Sequence, residues 1–197
     1  MIAAQRLTSQ KKLVLASSSP RRKEIMSRIF SEVIIDPPKL PEKALTEVES
    51  PEEEVLALAR DKAEEVALRH RDALVIGCDT CVRTEQFLGK PRDRDEARRM
   101  LQELSGDHHT VISAVWVIDT ATNESRHAIE KTKVFFDRIS EQEMEDLLES
   151  GEYEGKAGAY AIQGLTGLFV RAIEGDYNNV MGLPMRTLYR LLKELGI

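Results

Sequence analysis

The tightest constraint in this chain is one junction. A short apolar run, Leu13-Val14-Leu15-Ala16, passes through Ser17-Ser18-Ser19 straight into Pro20-Arg21-Arg22, and Ile25, Met26 and Ile29 then recur at helical spacing. The run reads as a buried strand, Ser19 as a helix N-cap and Pro20 as a first helical residue. A strand that feeds a helix through so short a loop is a building unit of α/β folds. The junction also carries an electrostatic conflict. Free backbone N–H groups and the macrodipole already make a helix start positive, so Arg21 and Arg22 are unfavourable there unless an anion binds. A phosphate resolves the conflict; so do nearby carboxylates around a solvated helix start, and the six residues alone do not choose.

With 197 residues the chain fits one domain of ordinary core size, or one domain in two lobes. Lys and Arg number 28 against 34 Asp and Glu, a formal net charge of −6, which argues against bulk electrostatic binding to nucleic acid. The few aromatic residues are scattered and form no stacking platform for single strands. Cations must therefore act locally. No apolar run approaches the roughly 20 residues that span a bilayer, and the N-terminus lacks a signal-peptide core, so a cytoplasmic protein with no membrane partner is expected. Cys78 and Cys81 form a CxxC spacing within a strand-like run, where positions i and i+3 face opposite ways. His70, His108, His109 and His127 have no metal-ligand spacing to complete a tetrahedral site. Two ordinary thiols are expected.

Strand-like and helix-like segments alternate without repeats. Val33-Ile34-Ile35 precedes a proline-punctuated surface loop from Asp36 to Ser50. Ser50, Pro51 and Glu53 then open a helix expected to run to about His70. Its apolar stripe of Val55, Leu58, Ala59, Ala63 and Val66 has Lys62 in the middle, either snorkelling to the surface or facing a cleft that holds an anion. The next strand begins near Ala73, and Asp79-Thr80 stands where its apolar run stops. A buried aspartate there is a candidate for chemistry, with a turn-capping carboxylate as the plainer alternative. Gly89-Lys90-Pro91-Arg92-Asp93 leads into a helix with Ala97, Met100, Leu101 and Leu104 inward. A hairpin of His109–Ile118 with Arg126–Phe136 follows, then a helix capped by Ser140 and Glu143 and a final helix from about Pro184. Seven of the eleven glycines lie between Gly151 and Gly182, a density that suits close approach to a ligand or several tight turns.

In this order the segments resemble the Maf (septum-formation) family of nucleoside triphosphate pyrophosphatases over nearly the whole chain after the first dozen residues. The likeness rests on Leu15-Ala16-Ser17-Ser18-Ser19-Pro20-Arg21-Arg22, on Leu58-Ala59-Arg60-Asp61-Lys62-Ala63 and on Ile76-Gly77-Cys78-Asp79-Thr80, where cysteine replaces the usual alanine. Gly89-Lys90-Pro91-Arg92-Asp93, Leu104-Ser105-Gly106, Lys156 to Gly164 and Val180-Met181-Gly182-Leu183-Pro184 complete it.

The resemblance implies a mixed α/β fold, with a long twisted sheet and flanking helices forming two lobes around a nucleotide cleft. Residues 1–12 would then be an N-terminal extension and 13–197 a single two-lobed catalytic domain. It implies hydrolysis between the α and β phosphates with a divalent cation, Mg²⁺ or Mn²⁺. Asp79 falls on the family's general-base position and is also a candidate metal ligand. Ser17, Ser19, Arg21, Arg22, Lys62 and Lys90 fall on phosphate-binding positions, and Arg22, Thr80 and Gln163 on positions tied to base choice. Gln163 matches the dTTP/UTP subgroup, since an amide offers a pyrimidine edge both donor and acceptor. Glu42 stands aside as a second carboxylate, because its loop departs from the family spacing. A homodimer is held open. Two rival readings remain: a relative with another base preference, and a nucleotide-binding cell-division regulator with little hydrolysis.

Overall fold

A computed structural model describes residues 11–39 and 50–196 of the chain. The Asp36–Ser50 loop is therefore described only at its ends, and Glu42 lies outside the described residues.

The strands are β1 (Lys12–Ala16), β2 (Ile34–Ile35), β3 (Ala73–Arg83), β4 (Phe87–Leu88), β5 (His108–Asp119), β6 (Glu124–Phe136) and β7 (Val170–Glu174). They form one seven-stranded sheet in the order β2-β1-β3-β5-β6-β7, with β4 pairing onto the end of β3. The pairs β1 with β2 and β1 with β3 are parallel and the remaining pairs are antiparallel, so the sheet is mixed, as expected. The helices are α1 (Pro20–Ser27), α2 (Pro51–Ala67), α3 (Arg94–Leu104), α4 (Glu141–Glu149), α5 (Tyr177–Met181) and α6 (Met185–Glu194). Short 3₁₀ turns span Ala157–Ala159 and Leu165–Phe169.

The helix starts follow from their caps. Ser19 accepts the Arg22 N–H with Pro20 at the first position, Ser50 accepts from Glu53, and Asp93 accepts from Glu96. Ser140 and Glu143 make a full capping box. Ile25 and Met26 are buried under α1 as read, whereas Ile29 lies beyond the helix end and is 38% exposed, so the apolar face of α1 is narrower than the sequence spacing suggests.

Alternation along β3 sorts its side chains onto two faces. Leu74, Ile76 and Cys78 join Leu13, Leu15, Val115 and Val117 under α1 and α6. Farther along the same face, Val82 joins Leu88, Leu101, Leu104, Phe136 and Leu148 under α3 and α4. Between these two apolar clusters the inward positions are polar: Thr80 on β3 and its register partner Ser113 on β5. The opposite face of β3 packs on α2 through Ala73, Val75 and Cys81 with Val66, Val55 and Ala59.

That packing needs Gly77. A Cβ there would stand 2.1 Å from the Ala59 carbonyl oxygen and 2.9 Å from the Ala63 nitrogen, so glycine is what lets α2 lie against the strand. Cys78 and Cys81 sit in different clusters on opposite faces as free buried thiols, as their strand spacing predicts. Burial pushes both thiols up, Cys81 to about 12.

One expectation is corrected. Asp79 is not where the apolar run of its strand stops, because β3 continues through buried Cys81 and Val82 to Arg83 and holds Asp79 mid-strand at 8% exposure. The glycine-rich stretch holds turns with positive φ at Gly151, Gly155, Gly158, Gly175 and Gly182, and also β7 and α5.

Candidate active site

β1 covers one edge of β3 as far as Gly77, and β4 takes up that strand again only at Val82. Between these two partners, at Cys78 to Cys81, the loop after β1 and the α1 side chains replace a strand. Arg22 makes the closure: its Nη1 donates to the Cys78 carbonyl at 2.7 Å, its Nε to the Gly182 carbonyl at 2.8 Å and its Nη2 to Thr80 Oγ1 at 3.0 Å. A longer contact of 3.4 Å runs from Nη1 to Ser17 Oγ, which in turn accepts the Ser19 N–H at 3.2 Å. Thr80 Oγ1 lies 2.8 Å from Ser113 Oγ. One guanidinium thus ties together the β1 loop, mid-β3 and the end of α5. Its fork geometry explains why arginine stands there. Gly182 takes φ +106° as it ends α5, the turn that presents its carbonyl to Arg22.

Asp79 points the other way, toward α2, where Lys62 forms an ion pair with it. Both groups are largely withdrawn from water, at 22% and 12% side-chain exposure. Lys62 therefore does not snorkel to the surface. It answers a buried carboxylate that would otherwise be costly. Asp79 and Thr80, neighbours in β3, lie on its opposite faces.

A cleft of about 410 Å³ opens at the start of α1, lined by Pro20, Arg21, Lys156, Gln163, Gly164 and Glu152 among others. The volume lies within the range of small-molecule sites. Burial lowers the Arg21 pKa, and the charge of Arg22 lowers it further; burial and then Arg21 likewise depress Lys156. Each cation is therefore poorly solvated and repelled by another, a field that an anion relieves.

The structure thus brings Ser17, Ser19, Arg22 and Thr80 into one network, Lys62 and Asp79 into a pair on the other face of the same strand segment, and Arg21 and Gln163 into one cleft. Lys90 stands instead in the exposed loop after β4, where the Gly89 carbonyl accepts the Gly158 N–H at 3.0 Å. Sequence reasoning missed the cleft positions of Lys156 and Glu152, though Lys156 lies in one of the family-like motifs. It also missed Ser113, whose signal was a polar residue at an inward position of an otherwise apolar strand face. Among the described residues no group of three or more His, Cys, Asp or Glu is placed to hold a metal ion, and no helix is long and apolar enough to cross a membrane.

The family description "Maf-like protein" matches residues 12–195, which takes in every element of this site. The chain belongs to the Maf family. A dTTP/UTP pyrophosphatase of Carboxydothermus hydrogenoformans is 43% identical to this Maf chain over 94% of it and 99% of its own length. One from Pelotomaculum thermopropionicum is 44% identical over 94% and 97%, and one from Agathobacter rectalis is 43% identical over 94% and 98%. Among solved structures, a nucleoside-triphosphatase (dITP/XTP pyrophosphatase) from Mycobacterium abscessus aligns with 93% of the Maf chain and 96% of its own at 16% identity and a TM-score of 0.44, too distant a likeness to add to the family match.

Proposed function

We propose that this chain hydrolyses dTTP and UTP between the α and β phosphates, releasing the nucleoside monophosphate and pyrophosphate. The observation that carries the reading is the Lys62–Asp79 pair, a buried acid with its own cation, on the segment of β3 to which Arg22 is bonded. The names of the full-length relatives supply the substrate class. A regulator that only senses nucleotide needs the cations but has no use for the acid, so the pair favours an enzyme over that rival.

In this reading Ser17, Ser19, Arg21, Arg22, Lys62 and Lys90 bind phosphate oxygens and offset the charge that builds on the leaving pyrophosphate. Asp79 takes a proton from the water that attacks the α phosphorus, while Lys62 holds the carboxylate in place. The Pα–O bond to the β phosphate breaks as the Pα–O bond to water forms. A divalent ion, when bound, supplies further charge neutralisation and lowers the water's pKa. In the alternative role Asp79 would hold that ion instead of taking the proton itself, and a single carboxylate plus substrate phosphates suits Mg²⁺ or Mn²⁺. Arg22 and Thr80 shape the floor beneath the base, and Gln163 on the rim reads the pyrimidine edge.

We read residues 13–197 as one two-lobed catalytic domain and residues 1–12 as an extension. A cytoplasmic location and a free nucleotide rather than nucleic acid or membrane as partner belong to the same proposal, which leaves the homodimer open.

The four standard ribonucleoside triphosphates and the four deoxyribonucleoside triphosphates, dTTP among them, assayed with Mg²⁺ or Mn²⁺ for pyrophosphate against orthophosphate, test it. Pyrophosphate from dTTP and UTP is the expected product. Orthophosphate release would overturn the reaction type, and a purine preference would overturn the role given to Gln163.

A further inference from the structure

Gln163 is an exposed amide on a flexible side chain, so its aim is set by the backbone that carries it. That backbone closes partly on itself: the Gly164 N–H donates to the Ala161 carbonyl at 3.0 Å and the Gly167 N–H to the Gly164 carbonyl at 2.9 Å. A tie to another segment comes from Glu152, whose Oε2 accepts the Leu165 N–H at 2.8 Å. The same carboxylate lies on Gly164, filling the space a side chain would take: a Cβ there would stand 2.1 Å from Oε2 and 2.9 Å from Cδ. Glu152 is itself anchored. Its N–H donates to Ser150 Oγ at 3.2 Å, and that hydroxyl donates to the Leu147 carbonyl at 2.7 Å on the buried face of α4. A continuous path therefore runs from the core under α4 through Ser150 and Glu152 to the two residues after Gln163.

We propose that Glu152 is a positioning residue that latches the Gly164–Leu165 backbone and so holds Gln163 at the cleft rim for base selection. The proposal rests on the reading of Gln163 given above. A carboxylate serves because it accepts a backbone N–H strongly and packs flat on a residue without a side chain. Its charge has a separate effect. Glu152 lines the same cleft as Arg21 and Lys156 and raises the Lys156 pKa, against the larger effects of burial and Arg21. That negative charge opposes any triphosphate equally, whatever its base, whereas the latch acts only on discrimination between bases.

The two effects separate in the variants Glu152→Gln, Glu152→Ala and Gln163→Ala of the full chain. The measurements are kcat and KM for dTTP and for a purine triphosphate, together with amide hydrogen exchange at Leu165. Glutamine keeps the acceptor and loses the charge, so Glu152→Gln lowers KM for both nucleotides together and preserves their ratio of kcat/KM. Alanine loses both, so Glu152→Ala lowers the pyrimidine preference about tenfold, mainly through KM for dTTP, and speeds exchange at Leu165. An unchanged ratio in Glu152→Ala, or a loss in Glu152→Gln as large as in Glu152→Ala, overturns the latch. Unchanged exchange at Leu165 in Glu152→Ala overturns it as well. Gln163→Ala separates the two readings: if it keeps the pyrimidine preference, the reading of Gln163 fails, whereas loss there with no loss in Glu152→Ala sinks the latch alone.

Discussion

Arg22 donates from Nε to the carbonyl of Gly182, 160 residues further along the chain, at 2.8 Å. The contact joins α1 to the end of α5, and the two Nη atoms carry it on to Cys78 and Thr80 in the middle of β3. The position is therefore a structural joint before it is a ligand contact. Lysine keeps the charge, but its single ammonium does not span acceptors on three segments. Arg22→Lys should lower stability by about 2 kcal/mol, read as a shift of the urea midpoint, because backbone carbonyls lose charged donors. An unshifted midpoint would mean that the guanidinium does not join these segments.

Asp79→Asn tests the acid. Asparagine fits the same space and still faces Lys62, so nucleotide binding by calorimetry should stay within a few-fold. Pyrophosphate release should fall by roughly 10²- to 10⁴-fold, the usual contribution of a general base. Unchanged turnover would remove Asp79 from the chemistry and revive the regulator reading.

Most of what the sequence expresses as local pattern survives in the structure. Caps at Ser19, Ser50, Asp93 and Ser140 mark helix starts because one side-chain oxygen answering one backbone N–H is a local event. The apolar face of α3, Ala97, Met100, Leu101 and Leu104, is read correctly for the same reason: helical periodicity is written within a dozen residues. The site is legible only in part, because its geometry depends on where strands stop. That β1 covers β3 only to Gly77 while β4 resumes at Val82 is a register fact with no local signature, yet it decides that Arg22 closes the edge of β3. The partner of Lys62 was equally hidden, since a cation on an apolar stripe announces an unusual neighbour without naming it. β7 was missed because Val170–Glu174 is short and lies in a glycine-rich stretch, where turn signals outweigh strand propensity.

Gly77 offers a separate handle on the Lys62–Asp79 pair. A Cβ at this position would lie 2.1 Å from the Ala59 carbonyl oxygen, so the obstacle to alanine is helix backbone rather than a movable side chain. Gly77→Ala should cost about 1–3 kcal/mol as α2 backs away from β3. Because Lys62 precedes Ala63 on that helix, kcat should fall with stability. A variant with parental urea midpoint and full turnover would show that the approach of α2 is dispensable.

His109 predicts the acid limit of the fold. It is 1% exposed, its Nε2 lies 2.7 Å from the Tyr160 hydroxyl, and its buried Nδ1 has no hydrogen-bond partner among the described residues. Burial, helped slightly by the charge of His108, pushes its pKa down to about 4 from the ordinary 6.5. The folded state therefore resists a proton that the unfolded chain accepts below pH 6.5. The resulting stability is complete above that pH and is lost progressively as pH falls toward 4, an amount of roughly 3 kcal/mol. Paired carboxylates such as Asp36 and Glu145, whose partners Arg69 and Arg98 hold them below their usual range, lose stability in the same direction, so the total acid slope does not isolate the histidine. The difference between parent and His109→Gln does. Glutamine retains a hydrogen-bonding group toward Tyr160 but binds no proton, so its urea midpoint should fall less steeply between pH 6.5 and 4. Parallel pH profiles for the two proteins would mean that His109 is protonated in the fold, and that its buried Nδ1 is answered by a group that accepts the proton's charge.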